Sequence, residues 1–417
     1  MPTLVRPNRK NLLDLVQDER TTPGWVYARN GDIVQVPAGV PRRSFSFRHK
    51  RVGLLRERAY TNLLTRAIAR TNNIRTAGGG PTGLAVSDPQ LNRPVCNLFP
   101  GVRAYANSTT EWHGVIFNDA PTPVLAGQPY AVTLVFRFGT ANSPRLAMRQ
   151  QGAGSGQGRV FRINRDGSFG TIGGFMPTGT VANLEATPMD DMETWRVQFI
   201  YTPDADEDIN IQFGPGAVGT DVIVCGAQIV PGTYHPVFIP NDGSIINKLG
   251  DLPFVPVGDW LPLVDYSLLF DFVHNRVGDQ QAAILTGYAP VTSTNFSFFV
   301  VFSGVIQFRT QIDGDSGSSS GNAGTLVKGQ RSVVAARCSD NTRRAYLNGG
   351  TGTAPGSGPF PRGLEKIYLG GNNNAGNALD GHVFKFIAWT PKANGEGVPT
   401  PASNNELAYL SMLENWP

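Results

Sequence analysis

The sequence predicts a mainly β protein, with two antiparallel β-sandwich (jelly-roll) domains after a basic, partly helical N-terminal attachment segment. The first observation is composition: 49 Gly and 31 Pro among 417 residues, with only 16% charged residues, favour short strands joined by turns over helical bundles. The second is periodicity, because apolar residues recur at every second position in segments such as Tyr130–Phe138. The third is length, which exceeds what one hydrophobic core organises.

The N-terminal segment, residues 1–75, is strongly basic. It holds 15 Lys and Arg against five acids, whereas residues 76–417 hold 21 and 27. The leucines between Asn11 and Val16 predict one short helical turn. A second helix is predicted at Thr61–Arg70, where Leu63, Leu64, Ala67 and Ile68 share a face. We interpret this helix as packing on a partner protein; binding to nucleic acid or to an anionic membrane is the alternative.

Residues 76–235 are predicted to form the first sandwich. After the Gly-rich break at Ala77–Pro81, strands with a period of two recur at Trp195–Tyr201 and Ile209–Phe213. Asp221–Ile229 is apolar almost throughout, as expected for a strand in the middle of a sandwich. No helical pattern intervenes, so we expect an antiparallel arrangement.

A Pro-rich linker is predicted at residues 236–262, and the second sandwich at residues 263–417. Gly, Asn and Ser loops separate its strand candidates. These candidates are Tyr266–Phe272, Phe296–Phe302, Val305–Thr310, Ser332–Arg337, Arg344–Leu347, Lys366–Leu369 and Gly381–Trp389. At the C-terminus, Ser403 and Glu406 have the spacing of a capping box, and Leu407, Leu410 and Leu413 follow on one face, so a closing helix is expected.

Three groups of residues resemble catalytic or metal sites in part only. Gly314–Gly317 has the tetrapeptide that surrounds a protease serine, but no histidine lies in a matching context, and a surface loop is expected. Asp190, Asp191 and Glu193 are the candidate carboxylates for glycoside hydrolysis. Asp313, Asp315 and Asn322 recur as in calcium loops but without a terminal Glu, which favours a solvated turn.

Other sequence features narrow the chemistry further. The acidic run Asp204–Asp208 is expected at a hairpin tip, and no phosphate-binding or dinucleotide-binding pattern is present, so we predict no catalytic residue, no metal and no cofactor. Cys96, Cys225 and Cys338 lie too far apart in sequence for a disulfide framework or a zinc spacing, and are expected to be buried thiols. The charged N-terminus predicts no signal peptide, and the short apolar runs predict no membrane insertion.

The remaining candidates are residues suited to binding. Sugars are bound by aromatic faces and by side chains that both donate and accept hydrogen bonds. Asn372, Asn373, Asn374 and Asn377 precede Asp380 in one Gly-rich loop, and Trp112 begins another strand or loop edge. We predict these residues as ligand contacts; turn formation by the asparagines and core burial of Trp112 are the alternatives.

The second sandwich resembles laminin G-like, concanavalin-type jelly rolls. The similarity rests on Lys366–Gly371, Ala378–Gly381, Gly381–Trp389 and Asn405–Leu410, together with the hairpin at Arg344–Gly350. In that family a strand ending in Gly, a short loop, an apolar-Asp-Gly turn and a further strand precede a helix. The resemblance implies the fold and leaves the function open, because the same sandwich serves as lectin, adhesion module or spacer.

A second segment, Gly53–Leu64, resembles the GLLIE-x-x-x-TNLL stretch of bacteriophage tail-fibre and related virion proteins, and Pro41–Phe45 fits the same context. Arg56 stands where that family usually has an apolar residue, and Tyr60 where it has Arg. In those proteins the stretch commonly precedes a carbohydrate-binding-module-like sandwich, so the resemblance implies such a module at residues 76–235 and a protein of a phage or phage-like particle. No catalytic residue is carried over.

Together these features predict a virion fibre or spike subunit, made in the bacterial cytoplasm and displayed on the virion surface. Residues 1–75 would bind other virion proteins, and the sandwiches would bind a host surface glycan without nucleic acid. Weak sugar sites gain affinity from several copies, so a homo-oligomer, most simply a trimer, is expected. The alternatives are a non-binding head or tail decoration protein and a polysaccharide depolymerase.

Overall fold

The chain folds into two compact units. Its computed structural model describes residues 9–70, 75–77, 84–87, 101–107, 114–117, 121–150, 158–171, 179–189, 193–241, 245–257, 266–275, 282–288, 295–302, 304–310, 318–339, 342–351, 356–357, 364–371 and 379–389. Unit 1 comprises Met1–Gly24, Val36–Ala59 and Leu249–Pro417, and unit 2 comprises Trp25–Gln35 and Tyr60–Lys248.

The described residues form strands and one short 3-10 helix. The first strands in chain order are β1 (Arg9–Asn11), β2 (Gln17–Asp18), β3 (Gly24–Tyr27), β4 (Ile33–Val36), β5 (Arg43–Ser46), β6 (Arg51–Arg56), β7 (Tyr60–Asn62), β8 (Arg75–Ala77), β9 (Leu84–Ser87), β10 (Val102–Ala106), β11 (Gly114–Ile116) and β12 (Thr122–Val124). Next come β13 (Tyr130–Phe138), β14 (Arg145–Gln150), β15 (Gly158–Ile163), β16 (Phe169–Thr171), β17 (Thr180–Pro188), β18 (Thr194–Thr202), β19 (Glu207–Gly214), β20 (Asp221–Pro231) and β21 (Ile246–Lys248). The last are β22 (Pro253–Pro256), β23 (Tyr266–Val273), β24 (Ala282–Tyr288), β25 (Asn295–Phe302), β26 (Val305–Thr310), β27 (Ser318–Thr325), β28 (Arg331–Ser339), β29 (Thr342–Leu347), β30 (Gly350–Thr351), β31 (Gly356–Ser357), β32 (Lys366–Leu369) and β33 (Gly381–Trp389).

Unit 1 contains two antiparallel sheets. Sheet A has the order β30-β29-β28-β23-β33-β6-β5, with β1 also on β33 and β31 on β29, and sheet B has the order β2-β22-β32-β24-β25-β26-β27. Alternate residues of β23 point into a core that also takes side chains from sheet B, including Phe270 and Phe272 beside Ile306 and Phe308. Full burial of such a side chain contributes about 1.5–3 kcal/mol.

Unit 2 repeats this arrangement. Sheet C has the order β17-β18-β13-β20-β10-β9, and sheet D has the order β16-β15-β14-β19-β11-β8 with β12 also on β19. The apolar side of β13, from Tyr130 through Val132 and Leu134 to Phe136, packs in the core between these sheets. Phe136 lies 4.8 Å from Phe213 of sheet D, measured between ring centroids. The predicted fold class, mainly β with antiparallel sandwiches, is therefore confirmed.

Residues 1–75 do not form a unit of their own in the structure. The predicted helical turn near residue 12 is present as a 3-10 helix at Leu12–Leu15, but β5 and β6 are strands of sheet A. The helix predicted at Thr61–Arg70 is wrong: β7 pairs with β21, and extended backbone follows it. The backbone amide of Leu63 donates to the carbonyl of Ile229 (2.9 Å), and such bonds to neighbouring segments replace helical ones.

The predicted linker and C-terminal helix have different outcomes. Within residues 236–262, β21 and β22 belong to sheets and Phe238 and Ile239 are fully buried, so these residues pack as part of the units. The helix expected after Ser403 lies outside the described residues.

A buried ionic cluster joins separate segments of unit 1. The Arg42 guanidinium donates from Nε to Oδ1 of Asp251 (2.8 Å) and from Nη2 to Oε2 of Glu57 (2.7 Å). The Glu57 amide donates to Oδ2 of Asp251 (2.8 Å), and Arg20 Nε lies 3.3 Å from Oδ1 of the same carboxylate. These charges are buried, and removing one partner would leave another uncompensated. The cluster therefore holds Arg20, Arg42 and Glu57 against Asp251.

Candidate functional site

The outer face of sheet C, opposite its core side, carries a row of polar side chains. Gln198 of β18 pairs with Thr133 of β13, and Thr133 pairs on its other side with Gln228 of β20. Glu185 of β17 pairs with Gln198. Paired residues of adjacent strands point to the same face, and their chain neighbours Ala186, Val197 and Leu134 face the core. We call Glu185, Gln198, Thr133 and Gln228 the polar row.

The polar row runs from an exposed end to a buried end. Glu185 is exposed and Gln198 is half-buried, whereas Thr133 and Gln228 are each only 1% exposed. Residues 63–69 lie beside β20 at the buried end: the Ala227 amide donates to the Ala67 carbonyl (2.9 Å), and the Ala69 amide donates to the Cys225 carbonyl (2.9 Å). A ligand would therefore enter from the β17 edge and meet Gln198 first.

At the buried end, hydrogen bonds fix the side chains. Oε1 of Gln228 accepts from the backbone amide of Ile239 (2.8 Å), and its Nε2 has no hydrogen-bond partner among the described residues. Thr133 Oγ1 lies 3.4 Å from Nδ1 of His235, which is half-buried. The bond from Ile239 thus fixes the orientation of the Gln228 amide, and its Nε2 is buried.

A cationic side chain flanks the polar row. Arg196 lies two residues from Gln198 on the same face, and its guanidinium is 5.7 Å from the centre of the Tyr27 ring. The Tyr27 hydroxyl accepts from the backbone amide of Phe238 (3.1 Å), which fixes the ring. Thr187, opposite Arg196, donates from Oγ1 to Oε1 of Glu185 (3.3 Å). Tyr27 therefore restrains the side chain of Arg196, and Thr187 that of Glu185.

This set of groups suits a ligand with several hydroxyls. A carboxylate only accepts, a guanidinium only donates, and a primary amide does both, so neighbouring hydroxyls of one sugar can each find a partner. Within the described residues there is no group of three or more His, Cys, Asp or Glu placed to hold a metal. No helix in that part of the chain is long and apolar enough to cross a membrane.

The structure describes one of the six ligand contacts predicted from the sequence, Asp380. Asn372, Asn373, Asn374, Asn377 and Trp112 fall outside the described residues, so their role stays a prediction. Asp380 is described and is fully buried, with a left-handed backbone (φ 49°).

The Asp380 carboxylate already has partners inside unit 1. Its Oδ1 accepts from the backbone amide of Arg58 (2.8 Å), and its Oδ2 lies 3.1 Å from the Nε of the same arginine. This geometry gives Asp380 a structural role at the start of β33. A ligand at the Asn-rich loop would have to use other groups of that loop.

The other sequence candidates have mixed outcomes. The acidic run lies only partly in a loop, because Glu207 and Asp208 begin β19 and Glu207 is buried. Asp204 and Asp206 are exposed between β18 and β19 and accept from the amides of Gly179 and Ala126 (2.7 and 2.8 Å). The expected hairpin is wrong, since β18 belongs to sheet C and β19 to sheet D. Cys225 is a buried free thiol, as expected. Asp190, Asp191, Gly314–Gly317, Asp313, Asp315 and Cys96 lie outside the described residues, as does the side chain of Cys338.

Sequence reasoning missed the polar row, although it identified three of the strands that carry it. The available signal was a polar residue at an outward position of each strand: Thr133, Gln198 and Gln228. Their alignment depends on which strands pair and in which register, and alternation along one strand does not contain that information.

Comparisons with known proteins give little further information. No protein-family model matches the chain, and no curated protein sequence matches it. Among solved structures, Trypanosoma rangeli sialidase is similar at 11% identity and a TM-score of 0.30, covering 76% of this chain and 61% of the sialidase. Laminin α1 domains LG4-5 from mouse match at 9% identity and a TM-score of 0.23, covering 64% of this chain and 84% of theirs. The LG1-3 region of the laminin α2 chain matches at 10% identity and a TM-score of 0.20, covering 86% and 66%.

At these TM-scores the matches carry no argument about function. The class of the protein rests on its own structure: two units, each built from antiparallel sheets packed face to face, with a polar row on the outer face of sheet C.

Proposed function

We propose that this protein is a virion fibre or spike subunit that binds host cell-surface polysaccharide through unit 2. The observation that carries the proposal is the polar row, in which Glu185, Gln198, Thr133 and Gln228 align across four adjacent strands. The virion context is supported by the resemblance of Gly53–Leu64 to tail-fibre proteins.

Binding would be non-covalent and weak at each site. The Gln198 amide, half-buried and at the accessible part of the row, would donate to one sugar hydroxyl and accept from another, and Glu185 would accept from a third. Each net hydrogen bond contributes about 0.5–1.5 kcal/mol. Useful attachment then needs several copies acting together, which supports our proposal of a homo-oligomer, most simply a trimer.

Two surfaces of the chain would have different tasks in the particle. We place attachment to other virion proteins in the exposed surface of residues 1–75 and glycan contact in unit 2. No catalytic step is included in the proposal, and the protein would stay on the virion surface after assembly in the cytoplasm.

The test is binding of the full-length chain to a panel of purified bacterial surface polysaccharides. For a polysaccharide that binds, Gln198→Ala should raise the dissociation constant about three- to tenfold, because the side chain loses one hydrogen-bond donor and one acceptor. The matched control is Gln128→Ala, which removes the same group from a half-buried position in the turn before β13 and should change nothing.

The other functions are outcomes of the same experiment. Folded protein that binds no polysaccharide, including that of its host, would overturn the proposal in favour of a decoration protein. Reducing ends released during the incubation would overturn it in favour of a depolymerase. Equal affinities of Gln198→Ala and the parent chain would remove the polar row as the site.

A further inference from the structure

The arginines and lysines of the basic N-terminal segment have two different positions in unit 1. Arg20, Arg42 and Arg56 are at most 2% exposed and belong to the interior. Arg48 and Lys50, in contrast, are exposed in the tight turn that joins β5 to β6, where Lys50 has a left-handed backbone (φ 51°). The turn therefore presents two cations outward from the edge of sheet A.

Arg51, which follows this turn, lies over the outer face of sheet A. Its guanidinium is 5.2 Å from the centre of the Phe384 ring, and its Nη1 is 3.5 Å from Oδ2 of Asp271. Arg331 of β28 binds the same carboxylate through two hydrogen bonds, Nε to Oδ1 (2.9 Å) and Nη2 to Oδ2 (2.8 Å). Lys385 of β33 pairs with Asp271 across the sheet.

Arg48 is connected to the same surface. The Arg48 guanidinium lies beside Gly329, in the turn before β28. A Cβ built on that glycine would be only 3.0 Å from Nη1 of Arg48. His49, between Arg48 and Lys50, is half-buried with its ring 6.1 Å from that of Phe384. Burial, and next the charge of Arg48, lower the pKa of His49, so it adds no charge at neutral pH.

We call Arg48, Lys50, Arg51, Arg331 and Lys385 the basic patch. Arg51 and Arg331 contact the carboxylate of Asp271, Lys385 pairs with that residue, and Arg48 and Lys50 lie in the adjoining turn. Among the described residues, Asp271 is the one acid that these contacts place beside the cations, and its full burial keeps it from meeting a ligand. The patch therefore has an excess of positive charge, and a partner must be anionic to gain from it.

We infer that the basic patch of unit 1 is a second binding site, for an acidic polysaccharide whose carboxylates recur along the chain. Arginine guanidinium groups match carboxylates in a two-bond geometry, and neighbouring cations on one surface match a repeating anion. A single-stranded nucleic acid fits less well, because it needs exposed aromatic faces for stacking and the Phe384 ring is only 8% exposed. This site lies in the other unit from the polar row and does not depend on it.

The test is binding of the full-length chain to polygalacturonate, with the carboxyl-reduced polymer as the neutral probe. We expect binding to polygalacturonate alone, weakening as salt is raised. The double variant Arg48→Ala/Lys50→Ala should bind about tenfold more weakly, because two screened ionic contacts are lost. Both residues are exposed, so the variant should fold normally.

A charge-matched control distinguishes the effect of contacts at the basic patch from the effect of a lower net charge of the whole chain. Arg43→Ala/Arg70→Ala also removes two exposed cations, one from the far end of β5 and one from unit 2, and should bind like the parent chain. Equal weakening by both double variants would overturn the inference, as would equal binding of the neutral polymer or tighter binding of oligo-dT than of polygalacturonate. Gln198→Ala should leave polygalacturonate binding unchanged, which keeps this result independent of the proposed glycan site of unit 2.

Discussion

Asn62 shows how one buried side chain organises unit 2. It is fully buried, and its Oδ1 accepts from the backbone amides of Leu64 and Ile229, each at 3.2 Å. Its Nδ2 donates to the carbonyl of Ile239 (3.4 Å) and to Oδ1 of Asn241 (3.3 Å). One amide thus satisfies backbone groups of three separate segments. Asn62 therefore has a structural role in unit 2.

We expect Asn62→Ala to lower the free energy of unfolding of unit 2 by about 2–4 kcal/mol. Two backbone amides and the Asn241 side chain would lose an interior partner, and each buried group left unsatisfied costs about 1–3 kcal/mol. Urea unfolding measures the change. Asn142→Ala is the control, because Asn142 is exposed and its Oδ1 accepts only from Arg165 among the described contacts (3.1 Å). A loss below about 0.5 kcal/mol at Asn62 would contradict this account.

At the residue scale, the residues of the candidate site were the hardest to predict. A run of asparagines stands out in a sequence, whereas Gln198 and Thr133 look like ordinary outward residues of two strands. Asp380 has the opposite problem: its loop suggested a ligand contact, but the backbone amide and guanidinium of Arg58 occupy its carboxylate. The alignment of Gln198 with Thr133 and the contact of Asp380 with Arg58 both depend on the pairing of distant segments, which the sequence alone does not show.

Several strands were predicted with the bounds that the structure has. Tyr130–Phe138, Val305–Thr310, Lys366–Leu369 and Gly381–Trp389 match β13, β26, β32 and β33 residue for residue. The helix prediction at Thr61–Arg70 failed because spacing of apolar residues by three and four also occurs in extended backbone that packs on a sheet. There, bonds from Leu63, Ala67 and Ala69 to distant backbone atoms outweigh local helix propensity.

Strand β6 demonstrates that the N-terminal segment is part of the unit 1 core. Its Leu54 is 3% exposed and packs in that core, whereas Val52, two residues earlier, is 54% exposed. We expect Leu54→Ala to lower the free energy of unfolding of unit 1 by about 2–5 kcal/mol, because it leaves a cavity. Chemical denaturation measures this change.

The matched control is Val52→Ala on the same strand, which should alter stability by less than about 0.5 kcal/mol. A similar small loss at Leu54 would indicate that β6 is dispensable. With β6 in the core, a chain cut to residues 76–417 would lose β5 and β6 from sheet A and expose the edge of β33, so binding studies need the full chain.

At the scale of the whole molecule, the two units should respond to acid in opposite directions. In unit 1, burial, and next the charge of Asp251, raise the pKa of Asp18. A raised folded-state pKa means that the folded state binds the proton more tightly than the unfolded state. The contribution of Asp18 to stability is therefore fully present below the ordinary aspartate pKa of about 3.9 and is lost as pH rises through the folded value.

Asp221 in unit 2 has the opposite sign. Burial alone would raise its pKa, but hydrogen bonds from the Thr140 hydroxyl and amide, together with Arg103, outweigh it and lower the pKa. The Thr140 amide donates to Oδ1 at 2.8 Å, and Arg103 Nε lies 2.6 Å from Oδ2. This contribution is present above about pH 3.9 and is lost as pH falls through the folded value.

We therefore expect acidification from pH 6 to pH 3 to lower, through Asp221, the protection factors of amides in β13 and β20 of unit 2, that is, the factor by which folding slows exchange relative to the unfolded chain at the same pH. Asp221→Asn should reduce that dependence on pH, because the titrating group is gone. Asp18→Asn should change the stability of unit 1 only, and the amides of β23 and β33 report that change. It should be neutral or mildly stabilising at pH 6, since it keeps the acceptor for the amides of Arg20 and Leu252 (3.0 Å each) and removes the repulsion from Asp251.

Hydrogen exchange followed by mass spectrometry reports both units in one experiment, because peptides from β13 and β23 are distinct. The decisive comparison is between the two variants at the two pH values. If Asp18→Asn destabilised unit 1 at pH 6, the Asp18 carboxylate would be a net favourable partner of Arg20. The pKa of Asp18 would then not be raised in the folded state. If Asp221→Asn left the pH dependence of unit 2 intact, other carboxylates would control its response to acid.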